Sequence, residues 1–487
     1  MSRRSLLAPA VLGLLTSLAA AVVLFGGVFG GRDAGLADNG DGPRYTCQLG
    51  LVAERFIQHE SAWFTFEPVP AGQPSCLDDP VARAPSSWVL LAGPFVQLVQ
   101  LVDGPGFDLR WFGAATCVVL GLLAALFVLS WRTSRLRAVA LTVPLLLVAL
   151  DVTFLGYANA PYVEIGGFLL VLLFAALLVR ATGRDRPLGR DLLLLGICGA
   201  VLVALKAATV SLAAVVGLVL LVLTVQAVRR ARARAVVATV AAAVVAFGAV
   251  GGAALAELRL QGTGYWQTNQ YNLLFATVLE NSSDPARTLT DLGLDPALAP
   301  FADTQIWDPD NALAQPGYPQ AQREFSRLDY VRHVVTHREQ WQPLVERATL
   351  EITQPRVTRQ ADVYQPEATD SVTVHPDGLA SRALHLLQPL GAWGVVGSWV
   401  LGLAVGLAAF FRTSRPVVRQ WAAFLVLVAA IAPVQMVTAL VGDGYGEIRK
   451  HLVFSAYASG LELALLAGGV LALAVQPVVR GRERVGV

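Results

Sequence analysis

Apolar residues in this chain do not alternate with polar ones; they run together. Stretches near 6–29, 111–131, 138–157, 165–180, 191–206, 208–228, 235–257, 390–411, 421–441 and 453–476 consist mostly of Ala, Val, Leu, Ile, Phe and Gly. A helix of about 20 such residues crosses the roughly 30 Å of bilayer hydrocarbon. The short alternating segments of a transmembrane barrel are not in the pattern. It predicts an all-α polytopic membrane protein with about ten transmembrane helices.

Two long polar stretches interrupt the apolar ones. They divide the chain into an N-terminal membrane module over 1–257, carrying a first polar segment at about 30–110, a second polar segment over 258–389, and C-terminal membrane helices over 390–487. Within the first segment, Trp88 to Val102 is apolar but too short to span, which predicts a helix along the interface. Within the second, Phe325 to Thr349 reads as one amphipathic helix, with turns around it at Gly317-Tyr318-Pro319 and Gln354-Pro355. The first apolar run follows Met1-Ser2-Arg3-Arg4 and has no clear small-residue cleavage site, so it reads as a retained signal anchor.

Composition agrees: of 487 residues 55% are hydrophobic, and mean hydropathy is +0.56. The net charge of +2 carries no information about partners, but its distribution does. Arg132, Arg135 and Arg137, then Arg180, Arg184, Arg186 and Arg190, then Arg229, Arg230, Arg232 and Arg234, then Arg412, Arg415 and Arg419, and finally Arg480, Arg482 and Arg484 fall in alternate loops and the C-terminal tail. The short loop near 158–164 holds no cation. Cytoplasmic loops collect Lys and Arg, so both termini are expected in the cytoplasm and both polar segments outside. Heavy use of Arg, Ala, Val and Gly points to a GC-rich bacterial genome, and hence to the bacterial plasma membrane.

Cys47 and Cys76 both fall in the first outside segment, where an oxidising exterior favours a disulfide over free thiols. Cys117 and Cys198 sit in spans and read as small apolar residues. His333 and His337 are four apart on the amphipathic helix but lack a third ligand, so an exposed helix face is the expectation. Asn281-Ser282-Ser283 matches a glycosylation sequon that means little in a bacterium. No phosphate-binding loop, dinucleotide fingerprint or nucleophile elbow is found. That argues against cytosolic nucleotide-driven chemistry, and nothing points to nucleic acid.

The remaining polar residues cluster at the outer ends of spans. Asp38-Asn39-Gly40-Asp41 follows the first span; such a run is also an ordinary turn. The hairpin Tyr157-Ala158-Asn159-Ala160-Pro161-Tyr162-Val163-Glu164 joins the third and fourth spans. Its tyrosines suit an interface, but a carboxylate at the start of a span needs a partner. Asp151, within the third span, is expected to face the same cavity. The only two lysines, Lys206 and Lys450, are both predicted at the outer surface, against the inside preference. An ammonium there suits a phosphate; snorkelling, or pairing with Glu447 or Asp443, would also account for it.

Four blocks in order resemble the GT-C superfamily of membrane glycosyltransferases, most closely the bacterial glycan-biosynthesis hexose transferases of surface-layer glycans. They are Asp38-Asn39-Gly40-Asp41 with Arg44-Tyr45; Tyr157 to Glu164, like the family's YxNSxYxE hairpin with Ala160 for Ser; Tyr271-Asn272-Leu273-Leu274-Phe275 through Asn281-Ser282-Ser283-Asp284-Pro285 to Leu292-Gly293-Leu294; and Gly442-Asp443-Gly444 through Lys450-His451. Gly42-Pro43 departs from the family's bulkier residue. The resemblance implies a polyprenyl-phosphate hexose donor, a glycan or lipid acceptor and inverting displacement. It implies Asp38 or Asp41 as the base, and Lys206, Arg449, Lys450 and His451 on the leaving phosphate. Asn39, Arg44, Tyr45, Asn159, Tyr162, Glu164 and Asn272 would then contact substrate. No cofactor is required, although some superfamily members use a divalent metal. A lipid-linked glycan ligase or polymerase, or a lipid or glycan transporter, are the competing classes.

Overall fold

The structure, a computed structural model, describes residues 3–26, 43–53, 65–68, 86–160, 162–184, 188–229, 233–264, 266–355, 378–446 and 448–474. Asp38, Asn39, Asp41, Cys76 and Glu447 lie outside these, as does the side chain of Arg44.

The chain is an all-α polytopic membrane protein. Its membrane helices are α1 (Arg3–Phe25), α2 (Arg110–Ser130), α3 (Arg135–Ala149), α4 (Glu164–Thr182), α5 (Gly189–Val203), α6 (Leu212–Arg229), α7 (Ala233–Gly264), α8 (Gly391–Arg412), α9 (Pro416–Gly442) and α10 (Val453–Ala474). Eight stretches among the described residues are long and apolar enough to span, and a bent pair makes a ninth. The tenth predicted span is α5, whose 15 residues reach only about 22 Å.

Its length is explained by its partner. The α4–α5 hairpin is pinned at both ends: Glu164 meets Lys206 at one, and Arg184 meets Asp191 at the other, each pair at 2.5 Å. Arg180 adds a third contact, 3.7 Å from Asp191. α5 therefore traverses the same layer as α4, the most buried of the candidate spans.

Four expectations are corrected. The third span is not one helix: Leu150 ends α3, and the chain bends by 58° into Val152–Asn159. Asp151 causes the break by accepting from Thr153 N, which caps the new helix. Its other oxygen accepts from Ala380 N at 2.8 Å and Ser381 N at 3.2 Å. Asp151 is thus a buried joint between α3 and the helix Leu379–His385, and it does not line the cavity described below. A Cβ at Gly378 would lie 2.1 Å from Asp151 Oδ2, so only glycine allows this approach.

The predicted helix over 325–349 is two, Arg327–Thr336 and Trp341–Thr353, with a short 3-10 turn between them. His333 is not on an exposed face; it is buried, stacked on His337 at 3.9 Å and hydrogen-bonded to Gln340. Burial, with the neighbouring His337, lowers its pKa to about 4.

The polar segments have cores of their own. Three short antiparallel strands, β1 (Leu51–Ala53), β2 (Thr65–Pro68) and β3 (Phe107–Asp108), pair Ala53 with Phe66 and Phe66 with Phe107. Leu51, Phe66 and Phe107 pack on Ala92, Val96 and Val99 of the helix Ser87–Asp103. That helix is the predicted short apolar one. It is tied to the end of α5 by Ser87 N to Ala204 O and Ser86 Oγ to Leu205 O. The second segment builds a core around Tyr271, Phe275, Leu289, Tyr318 and Tyr330. α7 runs unbroken past the predicted segment boundary at 257 to Gly264.

Candidate functional site

The ends of the bundle differ in chemistry. At one end the arginine loops gather: Arg419 donates to Thr182 O and Arg184 O, and Gln420 accepts from Arg132 N. At the other end lies a cavity of about 380 Å³. α4 joins the two, from Glu164 at the cavity to Arg180 near the arginines.

Tyr45, Tyr162, Glu164, Lys206, Lys450 and His451, all predicted site residues, line this cavity. They come from four separate parts of the chain. Lys206 Nζ sits 2.5 Å from Glu164 Oε1 and 5.7 Å from the Phe454 ring. Pairing answers the question that the sequence left open: the carboxylate at the head of α4 is matched by a lysine 42 residues on. Lys450 is buried, with its Nζ 5.1 Å from the centre of the Tyr162 ring. Tyr162 in turn packs on Tyr157.

Asp443 organises the loop after α9. Its Oδ1 accepts from Asn272 Nδ2 at 2.9 Å, and its Oδ2 lies 3.1 Å from His451 Nε2. Tyr445 N donates to Thr277 Oγ1, and Tyr445 OH donates to Asn281. The third and fourth sequence blocks are therefore one folded unit. Gly444 makes it possible: its φ is +61°, and an added Cβ would meet Thr277 Oγ1 at 2.0 Å. Burial, outweighing the hydrogen bond to Asn281, pushes the Tyr445 phenol up to about 12.

Other predicted residues lie elsewhere. Asn272 holds Asp443 and Ile306 N from behind the cavity wall. Arg449 does not line the cavity; its Nε is 2.5 Å from Glu351 Oε2, and Arg347 Nε lies 3.6 Å from the other oxygen, Oε1. Asn159 is fully buried against Gly113 and Phe25, outside the lining. Asp38, Asn39 and Asp41 are outside the described residues. The chain before them ends with Phe25 against Gly113, and after them Tyr45 lines the cavity. Cys47 is disulfide-bonded, and Cys117 and Cys198 are free and buried.

Sequence reasoning missed Glu257 and Arg327, which also line the cavity. Glu257 carried a usable signal: a carboxylate near the end of an apolar span. Arg327 carried none, being one cation among many on a stretch read as amphipathic. Its guanidinium stands 5.1 Å from the Trp266 ring. Desolvation lowers its pKa, partly opposed by Asp443. Among the described residues no group of three or more His, Cys, Asp or Glu is placed to hold a metal ion.

A family model described as the YfdI N-terminal transmembrane domain matches residues 2–467. No curated protein matches the chain.

Proposed function

The chain belongs to the family of the YfdI N-terminal transmembrane domain, a GT-C-like membrane glycosyltransferase family, and from that premise we propose that it transfers a hexose from a polyprenyl-phosphate donor. The acceptor is a cell-envelope glycan or lipid, and the reaction runs on the extracytoplasmic face of the bacterial plasma membrane. One observation carries the reading. The chain has only two lysines, and both line one cavity at the membrane-helix ends.

The chemistry follows from charge. A lipid donor keeps its chain in the bilayer and brings its phosphate to the level where helices end. Lys450 and Lys206 offer positive charge to the leaving phosphate as the glycosidic bond breaks, with His451 beside them. Lys206 does so from within its pair with Glu164. The ring of Tyr162 faces the Lys450 ammonium and orients it. Asp38 or Asp41 takes the acceptor's proton as its oxygen attacks the anomeric carbon. The described flanks support this role: α1 ends with Phe25 near Gly113, and Tyr45 lines the cavity.

The test is sugar transfer from polyprenyl-phosphate hexoses by purified protein in liposomes. Asp38→Asn or Asp41→Asn should lower kcat by about 100-fold or more while donor binding persists. Lys450→Ala should raise KM for donor as well as lower kcat, because its charge meets the phosphate in the ground state too. Near-normal transfer by all three variants would remove this site. Wild-type protein that moves a lipid-linked glycan across the bilayer without transferring sugar would replace the reading with transport.

A further inference from the structure

Between Gly251 and Arg259 of α7 only one residue is buried, and it is a carboxylate. Glu257 is 6% exposed, whereas its neighbours Leu255 and Leu258 are 51% and 53% exposed. A charged group near the end of a spanning helix, turned away from lipid and into a cavity, is costly unless it meets something there. Among the described residues, three carboxylates line that cavity. Glu164 is engaged by Lys206, and Asp443 by Asn272 and His451. Glu257 has no hydrogen-bond or ion-pair partner among the described residues.

The same cavity holds an unmatched donor. Arg327 Nε is buried without a hydrogen-bond partner. The two unmatched groups do not pair with each other, so what they share is the space between the walls. A simple anion would satisfy Arg327 and be repelled by Glu257; a cation would do the reverse. An alkyl chain would satisfy neither. A ligand with several hydroxyls satisfies both, because each hydroxyl donates and accepts. A volume of about 380 Å³ is ample for a hexose.

We propose that Glu257 and Arg327 form the subsite for the sugar ring, Glu257 accepting from its hydroxyls and Arg327 Nε donating to one. This rests on the glycosyltransferase reading above and adds to it the residues that distinguish a sugar-bearing lipid from the bare lipid phosphate. Neither residue belongs to the base or to the lysine cluster.

The experiment measures binding to the full-length protein in nanodiscs. The probes are polyprenyl-phosphate glucose, galactose and mannose, and the same polyprenyl phosphate without sugar. Glu257→Ala should weaken the tightest hexose lipid about 10–100-fold, the range for a charge-assisted hydrogen bond. It should leave the bare lipid phosphate within about twofold of wild type. Glu257→Gln, which keeps the side-chain shape and one acceptor oxygen, should lose less. Hexose lipid binding unchanged in Glu257→Ala would overturn the proposal. So would equal weakening of both kinds of lipid in both variants, since that marks a packing role. A wild type that binds hexose lipids no more tightly than the bare phosphate overturns it as well. If sugar-selective binding depends on Glu257 but no transfer is ever detected, the subsite stands and the transferase reading falls.

Discussion

At the scale of single residues the Glu164–Lys206 pair makes the sharpest demand. Both side chains are nearly out of water, at 2% and 10% exposure. A buried pair contributes little net stability against an apolar substitute, but breaking it leaves a lone buried charge at a cost of about 3–5 kcal/mol. Lys206→Met should therefore lower the thermal stability of the purified protein markedly. Adding Glu164→Gln to it should restore much of that loss. If the double variant is no more stable than the single, the pair is not a coupled buried unit. The two members were visible in the sequence for different reasons: one as a carboxylate heading a span, the other as one of only two lysines. Their pairing was not visible, because it spans 42 residues and an intervening hairpin. Asp443 likewise offered itself as a lysine's partner, yet it holds Asn272 and His451. Charge type is written in the sequence, but which opposite charge lies within reach is decided by packing.

At the scale of elements, hydropathy located the membrane helices because long apolar runs have no other stable place. It did not locate the break at Asp151. An apolar window averages over one polar residue, whereas the backbone responds to it locally: the carboxylate caps a new helix and takes two amides from the helix Leu379–His385. Asp151→Ala removes three acceptor contacts to buried or half-buried amides, so it should destabilise by about 2–4 kcal/mol. Asp151→Asn, which retains one acceptor oxygen, should cost less. Denaturant or thermal unfolding in detergent measures both, and an alanine variant as stable as wild type would show the joint to be incidental. The same limit explains the split of 325–349 into two helices. Amphipathic periodicity continues on either side of His337, but His333 turns inward to Gln340 and the helix ends there.

At the scale of the whole molecule, function depends on which end faces which side. α1 begins at Arg3 and ends with Phe25 against Gly113, beside Asn159. α10 begins at Val453, just after the cavity residues Lys450 and His451, and runs away from them. Both terminal helices therefore have their chain-terminal ends, Arg3 and Ala474, with the arginine loops, opposite the cavity. Arginine-rich loops stay in the cytoplasm, so the orientation proposed above requires the cavity to lie outside. Sandwich fusions check this directly. A fluorescent reporter at Arg135, the first residue of α3 after the α2–α3 loop, should fold in the cytoplasm. An alkaline phosphatase at Asp308 should be active outside, since Ile306 is held by Asn272 at the cavity end. Both reporters on one side would contradict the helix layout itself. A clean inversion would leave the packing intact, including the Glu164–Lys206 pair. It would move the cavity to the cytoplasmic face, where sugar donors are nucleotides. The lysines would then have to meet a diphosphate, and the lipid-phosphate donor would lose its physical basis.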